Sequence, residues 1–195
     1  MSRAELVVLT QNQHKLAEIS PLFQEYGIHF ETTSMPKYEI RADSVEEVAR
    51  VAAEYAYRTL MRPLVTDDTG LFIRALNGFP QTYPAFVLST IGTGGILKIL
   101  EGVEDRSAKF VTAVGYCDEN GLRSFVGEME GTIALTQAGS GGFGYDPIFI
   151  PRGESRTYAQ LSLEEKVAIS HRTKAFRSFL DWYSRERMRQ PAERC

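Results

Sequence analysis

The chain has 195 residues, 43% of them hydrophobic and 11% aromatic, enough for a large core and too apolar for a disordered chain. Its 22 Lys and Arg against 25 Asp and Glu give a net charge of −3. That balance argues against tracking along a nucleic-acid polymer, which wants a basic surface, yet leaves room for a few local cations around one small anion.

The two cysteines, Cys117 and Cys195, form no framework, and a reducing compartment is expected. Cys195, last in the sequence, is expected to be mobile. No apolar run approaches the roughly 18–20 residues of a membrane span, and the opening MSRAELVVLT is too briefly apolar for a signal peptide. The expectation is a cytoplasmic chain with no membrane partner, built as one domain over 1–195.

In chain order, Glu5–Thr10 predicts a buried strand. A helix follows with Leu16, Ile19, Leu22, Phe23 and Tyr26 on one face, Pro21 as a kink and Gly27 as the stop. Ile28–Thr33 predicts a second strand. Ser44-Val-Glu-Glu47 reads as a capping box ahead of Val45, Val48, Ala49, Ala52 and Ala56 at helical spacing, with the helix closing near Arg62 before Pro63. Leu64–Thr66 predicts a strand broken by Asp67-Asp68-Thr69-Gly70. Pro84–Leu100 predicts two short helices divided near Gly92–Gly95. Ala108–Tyr116 and Leu122–Leu135 predict a hairpin about Asp118-Glu-Asn-Gly121. Ile148–Ile150 predicts a buried strand, and the C-terminal third reads as helical. The fold class is mixed α/β with one long sheet and a second lobe.

Four clusters could carry chemistry. Thr10-Gln-Asn-Gln-His-Lys15 sits where a strand hands over to a helix, a place where backbone N–H groups and Lys15 favour an anion. Asn12 as a plain N-cap with Lys15 in solvent is the competing reading. Asp67 and Asp68 are adjacent carboxylates that repel unless a cation screens them, and oxygen ligands beside phosphates suit Mg²⁺. An acidic turn is the alternative there, and Glu39 is a possible third carboxylate. In Gly141-Gly-Phe-Gly-Tyr-Asp-Pro147 the glycines would let a flat ligand approach the backbone. Phe143 or Tyr145 could stack on it, and Asp146 could accept from its donors, unless the stretch is only a turn. In the fourth cluster, one continuous helix would set Lys166 and His171 about 140° apart. If Ser170 instead caps a new helix, His171 and Arg172 fall in its first turn, with Phe176, Phe179, Leu180 and Tyr183 on its buried face. Together the clusters fit a nucleoside triphosphate with Mg²⁺.

At TQNQHK, VTDDTGLFIRALNGFP, GGFGYDPIFIP and TYAQLSLEEKVAISHR the chain resembles the Ham1-like inosine triphosphate pyrophosphatase family almost end to end. The resemblance implies hydrolysis of noncanonical purine triphosphates (ITP, dITP, XTP) to monophosphate and pyrophosphate. It implies an elongated, twisted mixed sheet flanked by helices, two lobes with a central cleft, and a homodimer. It makes Thr10, Asn12 and Lys15 triphosphate-binding, Asp67, Asp68 and Glu39 metal-binding, and Asp68 the proton acceptor. It makes Thr69 a substrate contact in place of the usual serine. Phe143, Gly144, Tyr145 and Asp146 become the base loop, and Lys166, His171 and Arg172 substrate-binding. In the mechanism expected, Asp68 activates water at the α-phosphorus while Lys15 and Lys166 stabilise the leaving pyrophosphate. Three departures are Val167 for the usual asparagine, Gln81 for a frequent glycine, and Tyr83–Phe86 without a lysine that some members have there. A Maf-like pyrophosphatase with another base preference and a non-catalytic nucleotide sensor are the alternatives.

Overall fold

The computed structural model describes residues 5–189, so Cys195 lies outside the described residues. The elements are β1 (Leu6–Val8), α1 (Gln13–Glu25), β2 (Phe30–Thr32), α2 (Val45–Leu60), β3 (Leu64–Ile73), β4 (Pro80–Gln81), α3 (Pro84–Thr90), α4 (Gly92–Ile99), β5 (Ser107–Asp118), β6 (Gly121–Ile133), β7 (Phe149–Pro151), α5 (Leu163–Ile169) and α6 (His171–Arg189). The strands form one mixed sheet in the order β2-β1-β3-β5-β6-β7, with β4 also on β3.

Side-chain caps open α1, α2 and α5. Asn12 Oδ1 accepts the N–H groups of His14 and Lys15 at the start of α1, at 3.0 and 3.2 Å. Pro21 lies inside α1, which continues to Glu25. Ser44 Oγ caps α2 by accepting the N–H of Glu47 at 3.4 Å. Reciprocal capping boxes sit instead at Thr157/Gln160 and Ser162/Glu165.

Two sequence expectations are corrected. β3 does not break at Asp67-Asp68-Thr69-Gly70. It runs unbroken, paired residue for residue with β5 from Leu64↔Cys117 to Ile73↔Ala108. A full ladder of backbone hydrogen bonds outweighs the turn preference of Asp and Gly. The C-terminal third is α-helical only from Leu163, because loops, two short 3-10 turns, the end of β6 and β7 fill what precedes it.

α1 and α6 cover one face of the sheet. Ile19, Leu22 and Phe23 meet Phe176, Phe179 and Leu180 over Val65, Val114 and Tyr116. α2 covers the other face with Ala49 on Val111 and Ala113, and Ala53 and Ala56 on Leu64. A separate cluster at the far end joins Leu71, Ile73, Ile96, Phe110, Phe149 and Tyr158. Gly127 makes one close approach possible. A Cβ there would lie 2.3 Å from the carbonyl oxygen of His171, so only glycine lets the first turn of α6 rest on β6.

Candidate active site

The site is built around a gap in the sheet. Along one edge of β3, β1 pairs only at Leu64 and Val65, and β4 only at Leu71 and Phe72. Between them, Asp67, Asp68 and Thr69 have β5 on one side and no strand on the other. A cleft of ≈ 710 Å³ opens there. It collects residues from the end of β1, the segment before α2, the 143–146 loop and the start of α6.

Strand alternation sends the two aspartates to opposite faces. The Asp67 carboxylate points toward α1 and α6, where its Oδ2 receives Lys15 Nζ at 3.0 Å and Arg172 Nε at 3.3 Å. Burial pushes its pKa up, but Lys15, Arg172 and Lys37 outweigh burial and hold it well below the usual range. The Asp68 carboxylate points to the α2 side and receives Lys37 Nζ at 2.6 Å. Burial there prevails over Lys37 and Lys15, and with Asp67 alongside the Asp68 carboxyl is raised. A raised carboxyl is a better proton acceptor than an ordinary one.

A line of alternating charges runs beneath the cleft. Lys15 meets Asp67, Asp67 meets Arg172, Arg172 meets Glu18, Glu18 meets Lys166 at 2.6 Å, and Lys166 meets Asp146 at 2.6 Å. Three cations balance three anions, so the network adds no net charge. Buried pairs of this kind cost desolvation and fix geometry more than they stabilise.

This arrangement gives several of the expected site residues protein partners of their own. Lys166 is buried between Glu18 and Asp146, with Nζ 4.8 Å from the centre of the Phe143 ring. It stands at the loop end of the cleft. Asp146 is occupied as well: its Oδ2 accepts Lys166 Nζ and the N–H of Phe143 at 2.7 Å, which pins the loop. Tyr145 is buried in the far cluster and its hydroxyl donates to the Pro84 carbonyl at 2.9 Å, so it anchors rather than stacks. Burial pushes its phenol up to about 12. Phe143 is the half-buried ring of the loop, stacked on His14 at 5.2 Å. Gly142 has φ +67, and a Cβ there would meet Asp146 Oδ2 at 2.0 Å.

α5 and α6 are separate helices. Ser170 has extended backbone and its Oγ accepts the N–H of Thr173 at 3.1 Å, the N-cap geometry that turns His171 and Arg172 into the site. Arg172 is 2% exposed, which removes the solvated reading. His171 stacks on Phe110 at 4.7 Å, and its Nδ1 lies 2.7 Å from Thr112 Oγ1. Thr112 in turn lies 2.7 Å from Thr69 Oγ1, which accepts from Arg172 Nη2 at 3.2 Å. Burial, then Arg172 and Lys166, push the His171 pKa well below its ordinary value, so the ring is neutral. Asn12 is the N-cap of the plain reading, but Lys15 is held at the cleft and not left to solvent.

Three residues, Glu18, Thr112 and Lys37, escaped the sequence reading. Glu18 falls three residues after Lys15, on the same helical face as Ile19 and Leu22. A lone carboxylate on an apolar face was a usable signal. Thr112 is the polar member of the alternating set Phe110, Thr112, Val114 and Tyr116. Lys37 carries no periodic signal, and His14 falls inside the first cluster without a role of its own there. Of the departures, Val167 packs against the α1/α6 cluster. Gln81 holds φ +55, a left-handed position that glycine takes more easily.

The chemistry of the donor set fits a hard divalent cation at Asp68 and Glu39. Asp68 Oδ1, Glu39 Oε1 and the main-chain oxygen of Asp67 converge on one point, where Lys37 Nζ stands. The Asp67 carboxylate itself is taken by Lys15 and Arg172. Among the described residues no group of three or more His, Cys, Asp or Glu side chains is close enough to hold a metal.

The family model described as the Ham1 family matches residues 6–182. A dITP/XTP pyrophosphatase of Methanopyrus kandleri is 48% identical over 92% of this chain and 96% of its own length. One of Saccharolobus solfataricus is 47% identical over 90% and 91%. Among solved structures, a HAM1 protein from Coxiella burnetii superposes with a TM-score of 0.84 at 33% identity, covering 94% of this chain and all of its own. The Staphylococcus aureus Ham1 protein gives 0.80 at 29% identity, covering 93% and 99%. No helix among the described residues is long and apolar enough to cross a membrane.

Proposed function

The chain belongs to the Ham1 family, and from that premise we propose that it is a pyrophosphatase of noncanonical purine nucleoside triphosphates, releasing monophosphate and pyrophosphate. The observation that carries the reading is the cleft at the β3 gap. One end offers Lys15, Lys37, Asp68 and Glu39, and the other offers Phe143, His171 and Arg172. A charged end and an aromatic end in one cleft suit a triphosphate joined to a base.

In this reading the base stacks on Phe143, and a 6-oxo group accepts from donors of the His171–Arg172 pair. A 6-amino group would leave those donors unpaired, at about 1–3 kcal/mol per buried group. Lys15 takes phosphate oxygens at the start of α1. Asp68 orients a water molecule and takes its proton as it attacks the α-phosphorus. A divalent cation, Mg²⁺ in the simplest case, held by Asp68 and Glu39 would neutralise phosphate charge. Lys166 and Glu18 do not touch the phosphates. They hold Asp146, and through it the base loop, in place.

We also place the protein in the cytoplasm as a homodimer. The exposed Phe86, Ile91 and Ile99 of the α3–α4 region offer apolar area for a second copy. The test of function is product analysis for dITP, XTP, ITP, dATP and dGTP, with and without chelator and with Mg²⁺ added back. Pyrophosphate from the first three, dependent on the cation, is expected. Diphosphate plus orthophosphate would overturn the reaction, and binding without turnover would favour a sensor.

A further inference from the structure

Lys37 Nζ is enclosed by three oxygens, Asp68 Oδ1 at 2.6 Å, the Asp67 main-chain oxygen at 3.0 Å and Glu39 Oε1 at 3.2 Å. Two are carboxylates from different segments. The third is a carbonyl on the β3 edge that neither β1 nor β4 pairs. All three are hard donors of the kind a small divalent cation takes. A lysine ammonium seated there is a cation on a tether.

We propose that Lys37 is a built-in competitor for the divalent-cation position, so that the free protein binds a divalent cation weakly and admits one only as Lys37 withdraws. This rests on Asp68 and Glu39 being the cation-holding pair. Two positive centres cannot share the same three oxygens, since like charges a few ångströms apart repel strongly.

The surroundings let the tether release. Lys37 lies in the irregular segment between β2 and α2, with its side chain 17% exposed, and Glu39 is 62% exposed, so the cradle opens to solvent. Tyr38 stacks on Tyr55 of α2 at 4.7 Å, which fixes the backbone beside Lys37 while its four-carbon side chain stays free to swing. A withdrawn ammonium stays at the rim of the cleft, where the phosphates of an arriving nucleotide would take it. Nucleotide and cation therefore enter as a coupled pair: one supplies new anions to Lys37, the other supplies charge to the vacated oxygens.

The experiment uses Mn²⁺ alone, without nucleotide, followed by the electron paramagnetic resonance signal of the free ion. Wild type, Lys37→Met, Lys37→Arg and the double variant Lys37→Met/Asp68→Asn are titrated. Lys37→Met should bind Mn²⁺ roughly ten- to a hundredfold more tightly than wild type, after screening reduces the bare repulsion. Lys37→Arg should stay weak, and adding Asp68→Asn should remove the gain. Equal affinity of wild type and Lys37→Met would overturn the proposal. Thermal unfolding gives an independent readout: Mn²⁺ should raise the melting temperature of Lys37→Met more than that of wild type, and an equal rise would also overturn it. If Lys37→Met does not fold, Lys37→Gln, which keeps a hydrogen-bond donor, replaces it in both measurements. The outcome is separable from the proposed activity. Tight Mn²⁺ binding by Lys37→Met with the wrong products would leave the tethered cation standing and sink the pyrophosphatase reading.

Discussion

The Glu18 carboxylate on α1 receives the Lys166 ammonium of α5 at 2.6 Å, both side chains buried beneath the cleft. Its second oxygen holds Arg172 of α6. One carboxylate therefore ties three helices together under the base loop. Burial raises the Glu18 pKa, but Arg172 and Lys166 prevail and depress it, so the group is ionised.

Glu18→Gln should destabilise the fold by about 3–5 kcal/mol, the cost of leaving a buried cation without its partner. Urea unfolding at neutral pH measures it. A loss under about 1 kcal/mol would mean that water replaces the carboxylate and that the network is not closed.

Thr112→Val should erode base discrimination while leaving the fold intact. Arg172 can only donate, so Thr69 Oγ1 accepts from it. With Thr69 donating to Thr112, and Thr112 to His171 Nδ1, the imidazole keeps its proton on Nε2, the remaining polar atom for the cleft. The kcat/KM ratio of dITP to dATP should fall at least about tenfold, within the range of one unpaired buried group. Thr112→Ser should restore it. Nitrogen NMR of His171 should report the Nε2–H tautomer in wild type. The Nδ1–H tautomer there would reverse the direction of the chain.

His171 sets a pH dependence. Its folded pKa lies below the unfolded value of about 6.5, so below that pH the unfolded chain binds a proton that the native ring refuses. Its contribution is fully present above about pH 6.5 and declines as pH falls, at up to about 1.4 kcal/mol per pH unit. Asp67 and Glu18 have depressed pKa values, and their contributions are lost only at lower pH, as it falls below about 4. Urea unfolding from pH 7 to pH 5 should slope in wild type and flatten in His171→Asn. Equal slopes would assign the effect elsewhere.

Gly142→Ala should raise the KM for nucleotide by roughly tenfold while changing kcat little. The added Cβ meets Asp146 Oδ2 at a φ of +67, so the pinned loop must shift, at about 1–2 kcal/mol for the backbone alone. Initial-rate kinetics on dITP decide it. An unchanged KM would show that the loop geometry does not set base affinity.

Periodic features were legible in the sequence. The apolar face of α1, the alanine face of α2, the β5–β6 hairpin and the Ser170 break follow from 3.6- and 2-residue patterns and cap chemistry. Asp67 and Asp68 read locally as a strand end, because the residues of β5 that keep β3 extended there, Val114 and Ala113, are remote in sequence. Their opposite orientations follow only once the strand is continuous. Lys166 and Asp146 were identified as site residues, but their mutual contact and their burial depend on Glu18, which no local pattern connects to them. Lys37 sits in an irregular segment, where sequence spacing fixes no direction for a side chain.

The most direct test is hydrolysis of an equal mixture of dITP and dATP in ¹⁸O-labelled water with a divalent cation, read by mass spectrometry. If Asp68 directs water to the α-phosphorus in a site built for a 6-oxo purine, the label appears in dIMP, the pyrophosphate stays unlabelled and dATP persists. Label in pyrophosphate or orthophosphate, or dATP consumed as fast as dITP, would contradict it.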